Sequence, residues 1–250
     1  MTALEQAHAL LLTGDVDDAL ALLASADDDD ARRLRAQVLA RSGRPVNALA
    51  DLDRLAQPTH EDYLLRARLL NALERPREAA AVLESLHAAA PQDKRLCELL
   101  YDQLMAMGDA QAAVEVARPL SEDWRWRMRL AEAEAEAGQP AAALAHYEQA
   151  LHALRSRHPA SIPLYLHSAY VSGLIGAASA AIDCGQFAQA RAHLAAAAAH
   201  SDDPAIACYD ALARRGLGDP DAEAALQAAL AQCSPTLRAA LSGGITPNDS

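Results

Sequence analysis

The sequence predicts an all-α protein, an α-solenoid of about seven antiparallel helix hairpins. Three observations predict it. The 250-residue chain is 52% apolar but only 4% aromatic, and the alanine that supplies much of its apolar content favours helices while filling little space. A small residue, a glycine seven positions later and an alanine five positions after the glycine recur along the chain. The turn positions of this pattern fall every 29 to 47 residues, at 14, 43, 74, 108, 138, 185 and 218.

Each copy of the pattern predicts one helix before its turn position and one after it. Upstream, apolar residues recur at helical spacing, as in Leu4, Ala7, Leu10 and Leu11. Glycine at the turn ends the first helix by adopting a left-handed conformation, although the third copy has Glu74 in this place. The second helix often begins at a proline, as predicted for Pro45, Pro76, Pro140 and Pro220. A single hairpin is too thin to bury its own apolar face, so the pattern predicts that neighbouring hairpins stack.

The predicted array covers residues 1–242 as a single domain. Residues 1–157 hold helix pairs one to five, and residues 158–242 hold the longer pairs six and seven with a closing cap. The 47-residue spacing contains Pro159 and Pro163, followed by about twenty residues of helical pattern. This predicts a long second helix in pair five and a long first helix in pair six. The segment TLRAAL after Pro235 is predicted to cap the array, and residues 243–250 to form a disordered tail.

Charge and terminal sequence argue against several classes of protein. With 34 acidic and 22 basic side chains the formal net charge is -12, and acidic residues exceed basic ones in each third of the chain. We therefore expect no nucleic-acid or membrane partner. The N-terminal segment lacks the basic region of a signal peptide, and no segment approaches the ~20 apolar residues of a membrane span. Four dispersed cysteines without a C-x-x-C motif are typical of core residues in a reducing compartment. The sequence predicts a cytoplasmic protein.

No motif predicts catalysis, a metal or a cofactor. H-E-x-x-H, G-x-S-x-G and G-x-G-x-x-G are absent, and the nine histidines show no ligand spacing. Residues 27–30, four consecutive aspartates, lack the offsets of a calcium loop, and we interpret them as a solvated loop that favours the start of the next helix. Of Trp124 and Trp126, we expect one to pack between repeats and the other to lie near the surface. We expect no cofactor and no enzymatic activity, with an enzyme whose residues converge from distant repeats as an alternative.

The recurring skeleton resembles the tetratricopeptide repeat family. The resemblance is clearest in AEAEAEAGQPAAALAHYEQAL at 131–151 and is supported by the closing proline of LHAAAPQD at 86–93. It implies a right-handed superhelix in which the first helix of each repeat lines a concave groove. The groove positions then lie ten, six and three or two residues before each turn position. The site residues that the resemblance implies are Arg33, Gln37, Arg41, Arg68, Asn71, Glu98, Asp102 and Glu132.

The leading functional prediction is a non-enzymatic scaffold or adaptor that binds a protein or peptide in this groove. Arg33, Arg41 and Arg68 would hold an acidic segment of the partner, because guanidinium groups bind carboxylates bidentately. The acidic groove positions further along would repel that segment or hold a basic one. One alternative is that these charges pair between repeats and merely solvate the groove. Another is a regulatory sensor that changes shape on binding a peptide or small signal. A homo-oligomer is left open.

Overall fold

The computed structural model describes residues 2–233, 235 and 238. In this part of the chain every regular element is a helix, as predicted, and no strand is present. The helices fall into two compact units, residues 1–108 and 109–250, and each unit is described by itself. The predicted cap and tail lie outside the described residues, except for Arg238 of the cap. That residues 1–242 act as one domain stays a prediction.

The first unit contains seven α-helices. Helices that are adjacent in the chain pack against each other throughout the unit, which is the nearest-neighbour order of a helical-repeat protein. The helices are α1 (Ala3–Thr13), α2 (Val16–Ala24), α3 (Asp29–Arg41), α4 (Pro45–Leu52), α5 (His60–Ala72), α6 (Pro76–Ala89) and α7 (Lys94–Ala106).

The second unit contains the other seven α-helices of the described residues and shows the same nearest-neighbour packing. They are α8 (Ala110–Ala117), α9 (Trp124–Glu136), α10 (Pro140–Arg157), α11 (His167–Asp183), α12 (Phe187–Ala198), α13 (Pro204–Gly216) and α14 (Ala222–Gln232). Short 3-10 turns precede α9 and α11, at Arg118–Leu120 and Leu164–Leu166. With 18 and 17 residues, α10 and α11 are the two long helices that the 47-residue spacing predicts.

All seven predicted turn positions adopt the left-handed conformation. The six glycines have φ between 70° and 90°, and Glu74 has φ of 57° in the glycine slot. The alanines that flank the turns in the pattern are buried in both units, with 0% exposure at Ala7, Ala19, Ala36, Ala48, Ala131, Ala143, Ala178 and Ala190. Small side chains at these places let the two helices of a hairpin approach closely, as the sequence predicts.

Three of the four predicted helix starts are confirmed. Pro45, Pro76 and Pro140 are the first residues of α4, α6 and α10. The fourth prediction is wrong, because α14 begins two residues after Pro220. There Asp219 accepts hydrogen bonds from the backbone N–H of Asp221 at 3.0 Å and from Arg214 Nε at 2.7 Å. These contacts hold the segment in a turn and delay the helix.

The expectation that one of the two tryptophans lies near the surface is also wrong. Trp124 and Trp126 are 4% and 3% exposed, although they point to different sides of the first turn of α9. The helix is covered on more than one side, since α10 packs against it and so do α8 and the 3-10 turn that precedes α9. The guanidinium of Arg125 lies 4.6 Å from the centre of the Trp124 ring. Burial of both rings makes them core residues of the second unit.

The acidic run at residues 27–30 begins α3. The side chain of Asp28 caps the helix by accepting from its backbone. The carboxylate of Asp29 accepts from the backbone N–H groups of Ala56 and Gln57, at 3.1 and 2.9 Å. These two hydrogen bonds lower the pKa of Asp29 below its ordinary value. The run therefore joins the start of the second repeat to the loop that leaves it.

Candidate functional site

A groove opens between α1 and α3 on one face of the first unit. Its volume is about 650 Å³, within the range of ligand-binding clefts. Most of its wall is apolar, and Leu12 at its edge is 90% exposed to solvent. Leu12 therefore adds exposed apolar surface to the edge of the groove. The groove is lined by His8, Leu11, Leu12, Val16, Leu34, Gln37, Val38, Arg41 and Ser42.

The helical repeat places these side chains on facing surfaces. His8, Leu11 and Leu12 are three and four residues apart on α1, so they share one face of that helix. Gln37 and Arg41 are four residues apart on α3 and share a face in the same way. Because α2 packs against both α1 and α3, it stands behind them and the open side of the pair becomes the groove.

Two predicted site residues, Gln37 and Arg41, are therefore brought together in one groove. Both are exposed. Within residues 2–233, the Arg41 guanidinium makes neither a hydrogen bond nor an ion pair with another side chain. An exposed cation beside an apolar wall suits a ligand that combines an apolar group with a carboxylate, because guanidinium binds carboxylate through two parallel hydrogen bonds.

His8 adds a hydrogen-bond acceptor to the groove. Its Nδ1 lies 2.9 Å from the backbone carbonyl of Leu4. A carbonyl oxygen only accepts, so Nδ1 carries the proton in this contact and donates it. In the neutral ring Nε2 is then the acceptor. The polar rim of the groove thus contains one cation, one amide, one imidazole and the hydroxyl of Ser42, which donates to the carbonyl of Val38 at 2.8 Å.

Arg33 lies on α3 as well, but its donors are used within the chain. Its Nε donates to the Asp62 carboxylate at 2.9 and 3.0 Å, its Nη1 to Asp30 at 2.8 Å, and its Nη2 to the carbonyl of Gln57 at 3.3 Å. Asp62 is 4% exposed and also accepts from the backbone N–H of Thr59 at 2.8 Å, which caps α5. The hydrogen bond with Asp62 raises the pKa of Arg33. Arg33 thus fits the alternative in which charges pair between repeats.

The remaining predicted site residues of the first unit lie outside this groove. Arg68 and Asn71 are exposed on α5. The Asn71 amide donates to the side chain of Gln103 on α7, and Gln103 donates to the carbonyl of Pro76 at 3.3 Å. Asn71 therefore links neighbouring repeats, whereas Arg68 has no ion pair within residues 2–233.

The acidic positions are exposed on two different helices. Glu98 and Asp102 lie on α7 in the first unit, and Glu132 lies on α9 in the second unit. Glu98 and Asp102 are four residues apart and share one face of α7. The roles predicted for these three carboxylates stay predictions.

The apolar part of the groove was missed by the sequence prediction. The same offsets, applied to the first turn position at Gly14, give Leu4, His8 and the pair Leu11 and Leu12. The prediction instead started from the second repeat and selected charged and amide side chains. The only sequence signal for this part of the groove was that Leu11 and Leu12 occupy groove offsets of the first repeat, and their exposure could not be read from the sequence.

The chain is a helical-repeat protein with the tetratricopeptide-repeat fold. Its features are the left-handed turns, the helices paired through buried alanines and the open face on the first helices. A tetratricopeptide repeat protein from Parabacteroides merdae superposes with a TM-score of 0.52 at 14% identity, over 96% of this chain and 95% of that one. The MamA protein superposes with a TM-score of 0.52 at 16% identity, over 65% of this chain and 95% of that one. These likenesses concern the fold.

A third solved structure, Naa15/Naa10 bound to HypK-THB, superposes with a TM-score of 0.56 at 16% identity. The match spans 97% of this chain but only 41% of that chain. No protein-family model matches the sequence, and no curated protein matches it either.

Two further features of the described residues bear on the site. None of their helices has both the length and the apolar character needed to cross a membrane. Across the same residues, no three His, Cys, Asp or Glu side chains are grouped so as to hold a metal ion. The chemistry of the groove is that of its apolar wall and polar rim.

Proposed function

We propose that the chain is a non-enzymatic interaction scaffold that binds a peptide segment of a partner protein in the groove between α1 and α3. The segment carries an apolar side chain next to an acidic one. The observation that carries this proposal is the exposure of Leu12, at 90%, beside the guanidinium of Arg41, which has no ion pair with any residue of 2–233. Covering the leucine is favourable at about 25 cal/mol per Å² of apolar surface, and the carboxylate supplies the partner that Arg41 lacks.

Selection from a displayed peptide library on the full chain tests the proposal. We expect enrichment of peptides in which Leu, Ile, Met or Phe stands next to Asp or Glu. Affinity for a selected peptide should fall roughly ten-fold or more in Arg41→Glu, since a charge-assisted hydrogen bond contributes about 1.5–3 kcal/mol. Leu12→Asp should have a similar effect because it places a charge on the apolar wall.

A matched control is Arg77→Glu, which makes the same charge reversal at an exposed residue of α6 outside the groove. We expect it to bind the peptide as the parent does. If Arg41→Glu and Arg77→Glu bind the peptide with equal affinity, the peptide does not bind in this groove. Arg68→Glu in the same series asks whether the site extends to α5, and a loss of affinity there would enlarge the site in that direction.

The alternative function, a sensor that changes shape on binding, can be tested with the same selected peptide. Small-angle scattering of the full chain with and without a selected peptide gives the change in radius of gyration. A scaffold keeps its dimensions on binding, whereas a sensor changes them. The motivation for the sensor is the loop at residues 158–163, between the long helices α10 and α11.

A further inference from the structure

Two buried cysteines of the second unit meet where α14 returns to α13. Cys208 lies in α13 and is 0% exposed, and Cys233, the residue after α14, is 6% exposed. Their Sγ atoms are 3.2 Å apart. Among the described cysteines, Cys97 and Cys184 are both free as well, but neither is in contact with another cysteine. The sequence placed all four as unrelated core residues, because 25 positions separate the pair in the chain.

We propose that Cys208 and Cys233 are a reversible oxidation site, at which a peroxide converts the two thiols into a disulfide that closes the α13–α14 hairpin. A disulfide needs its sulfur atoms about 2.05 Å apart, so they must approach by roughly 1 Å. Cys208 is held in a helix. Cys233 has extended backbone, with φ of -79° and ψ of 152°, and its side chain can turn towards Cys208 without breaking a turn of α14.

The two thiols have different roles in the reaction. Cys233 is the more exposed and reacts first: its sulfur attacks one peroxide oxygen, the O–O bond breaks, and the products are a sulfenic acid on Cys233 and one water. Burial raises the pKa of the Cys208 thiol above its ordinary value, so Cys208 stays protonated while Cys233 is oxidised. The Cys208 sulfur then bonds to the Cys233 sulfur, the S–O bond breaks, and the hydroxyl group leaves with the Cys208 proton as a second water.

The overall change is balanced. Two thiols and one hydrogen peroxide give one disulfide and two waters, so the cysteines lose two electrons and the peroxide gains them. A small thiol such as dithiothreitol reverses the reaction by thiol–disulfide exchange. The product joins the middle of α13 to the end of α14, and it removes freedom from the unfolded state of this part of the chain.

Treatment of the native full chain with hydrogen peroxide tests the proposal. We expect two of the four thiols to be lost and the mass to fall by two hydrogen atoms, with one proteolytic fragment that links Cys208 to Cys233. Dithiothreitol should restore all four thiols. The unfolding temperature of the oxidised protein should rise by about 10 °C, as expected for a loop of this length.

Variants separate this pair from the other cysteines. Cys233→Ser should lose the linked fragment, whereas Cys97→Ser and Cys184→Ser should each keep it. The proposal is overturned if the native parent retains four thiols, if the linked fragment joins other cysteines, or if Cys233 gains two oxygens as a sulfinic acid instead of forming the link. The proteolytic fragments of the oxidised parent show which cysteines are linked, so they test the proposal even if a variant does not fold.

Discussion

Arg35 in α3 and Asp51 in α4 form a buried ion pair that also reaches α2. The Nε atom of Arg35 donates to Asp51 Oδ2 at 2.7 Å, and Nη1 donates to the carbonyl of Leu23 at 2.8 Å. The two side chains are 14% and 7% exposed. The hydrogen bond to Asp51 raises the pKa of Arg35. Since Leu23 belongs to the last turn of α2, a single guanidinium ties three consecutive helices together.

Removal of the Asp51 carboxylate should be costly. Asp51→Ala leaves the Arg35 cation largely buried without its counter-ion, and we expect the free energy of unfolding to fall by about 3 kcal/mol or more. Urea unfolding followed by circular dichroism measures it. The matched control is Asp53→Ala, which removes an exposed carboxylate 2.8 Å from Arg66 and should cost less than about 1 kcal/mol. If both variants lose the same free energy of unfolding, the buried ion pair contributes no more stability than the exposed one.

Replacement of Glu74 by glycine should stabilise the folded protein. Its φ of 57° is strained for a residue with a side chain, and Glu74→Gly relieves that strain while adding freedom to the unfolded chain. We expect the free energy of unfolding, measured by heat or urea, to rise by up to about 1 kcal/mol.

Gly138→Val is the reverse experiment. A Cβ there meets no atom within 4 Å, so its expected loss of about 1 kcal/mol or more reports backbone strain alone. A Gly138→Val variant as stable as the parent would contradict the left-handed cap.

Stability against acid should depend on Asp29. Its pKa in the folded protein lies below its ordinary value of 3.8, first because of the hydrogen bond from the N–H of Ala56. The unfolded chain therefore binds the proton more tightly, and the stabilisation is present above about pH 4 and is lost as the pH falls through the folded pKa. Asp29→Asn should flatten this part of the stability profile. Asp202→Asn, at an exposed loop residue, should leave it unchanged, and an identical effect of both variants would refute the assignment.

Gly176 should not tolerate alanine. A Cβ at Gly176 would lie 2.5 Å from Cζ and 2.8 Å from Oη of Tyr147, a core residue that is only 8% exposed. Overpacking costs about 1–3 kcal/mol, more than the helix propensity that alanine gains. We expect Gly176→Ala to lower the unfolding temperature. In a Tyr147→Leu background the same substitution should be neutral or stabilising, while Ser172→Ala on the exposed side of α11 should change little in either background.

The sequence predicted the helices well because their signals are local. Each turn needs one residue with positive φ, each first helix needs a repeating apolar face, and both requirements appear within a dozen residues of Gly14 or Gly138. Even the exception at Glu74 was placed correctly, since the surrounding alanines fixed its position in the pattern. The start of α14 was placed too early because Pro220 is followed by a turn that depends on Arg214, six residues upstream.

The candidate site was predicted only in part. The offsets that the tetratricopeptide-repeat resemblance implies include Gln37 and Arg41, which share one face of α3, and applying these offsets needs no knowledge of the neighbouring repeat. The pairing of Arg33 within the chain could not be predicted in this way, because its partner Asp62 is 29 positions away and lies on another helix. Leu12 was passed over for a different reason. A leucine in an amphipathic helix is expected to be buried, and its exposure is visible only when the packing of α1 is known.

The carboxylate of Asp62 serves two structures at once, since it caps α5 through Thr59 and receives Arg33 from α3. Local helix formation in the third repeat and its attachment to the second repeat therefore share one chemical group. If the second repeat opens, the cap of α5 loses the cation that holds it in place, and the first turn of α5 is exposed to fraying. Repeat arrays can unfold repeat by repeat, and this shared group couples the opening of the third repeat to that of the second.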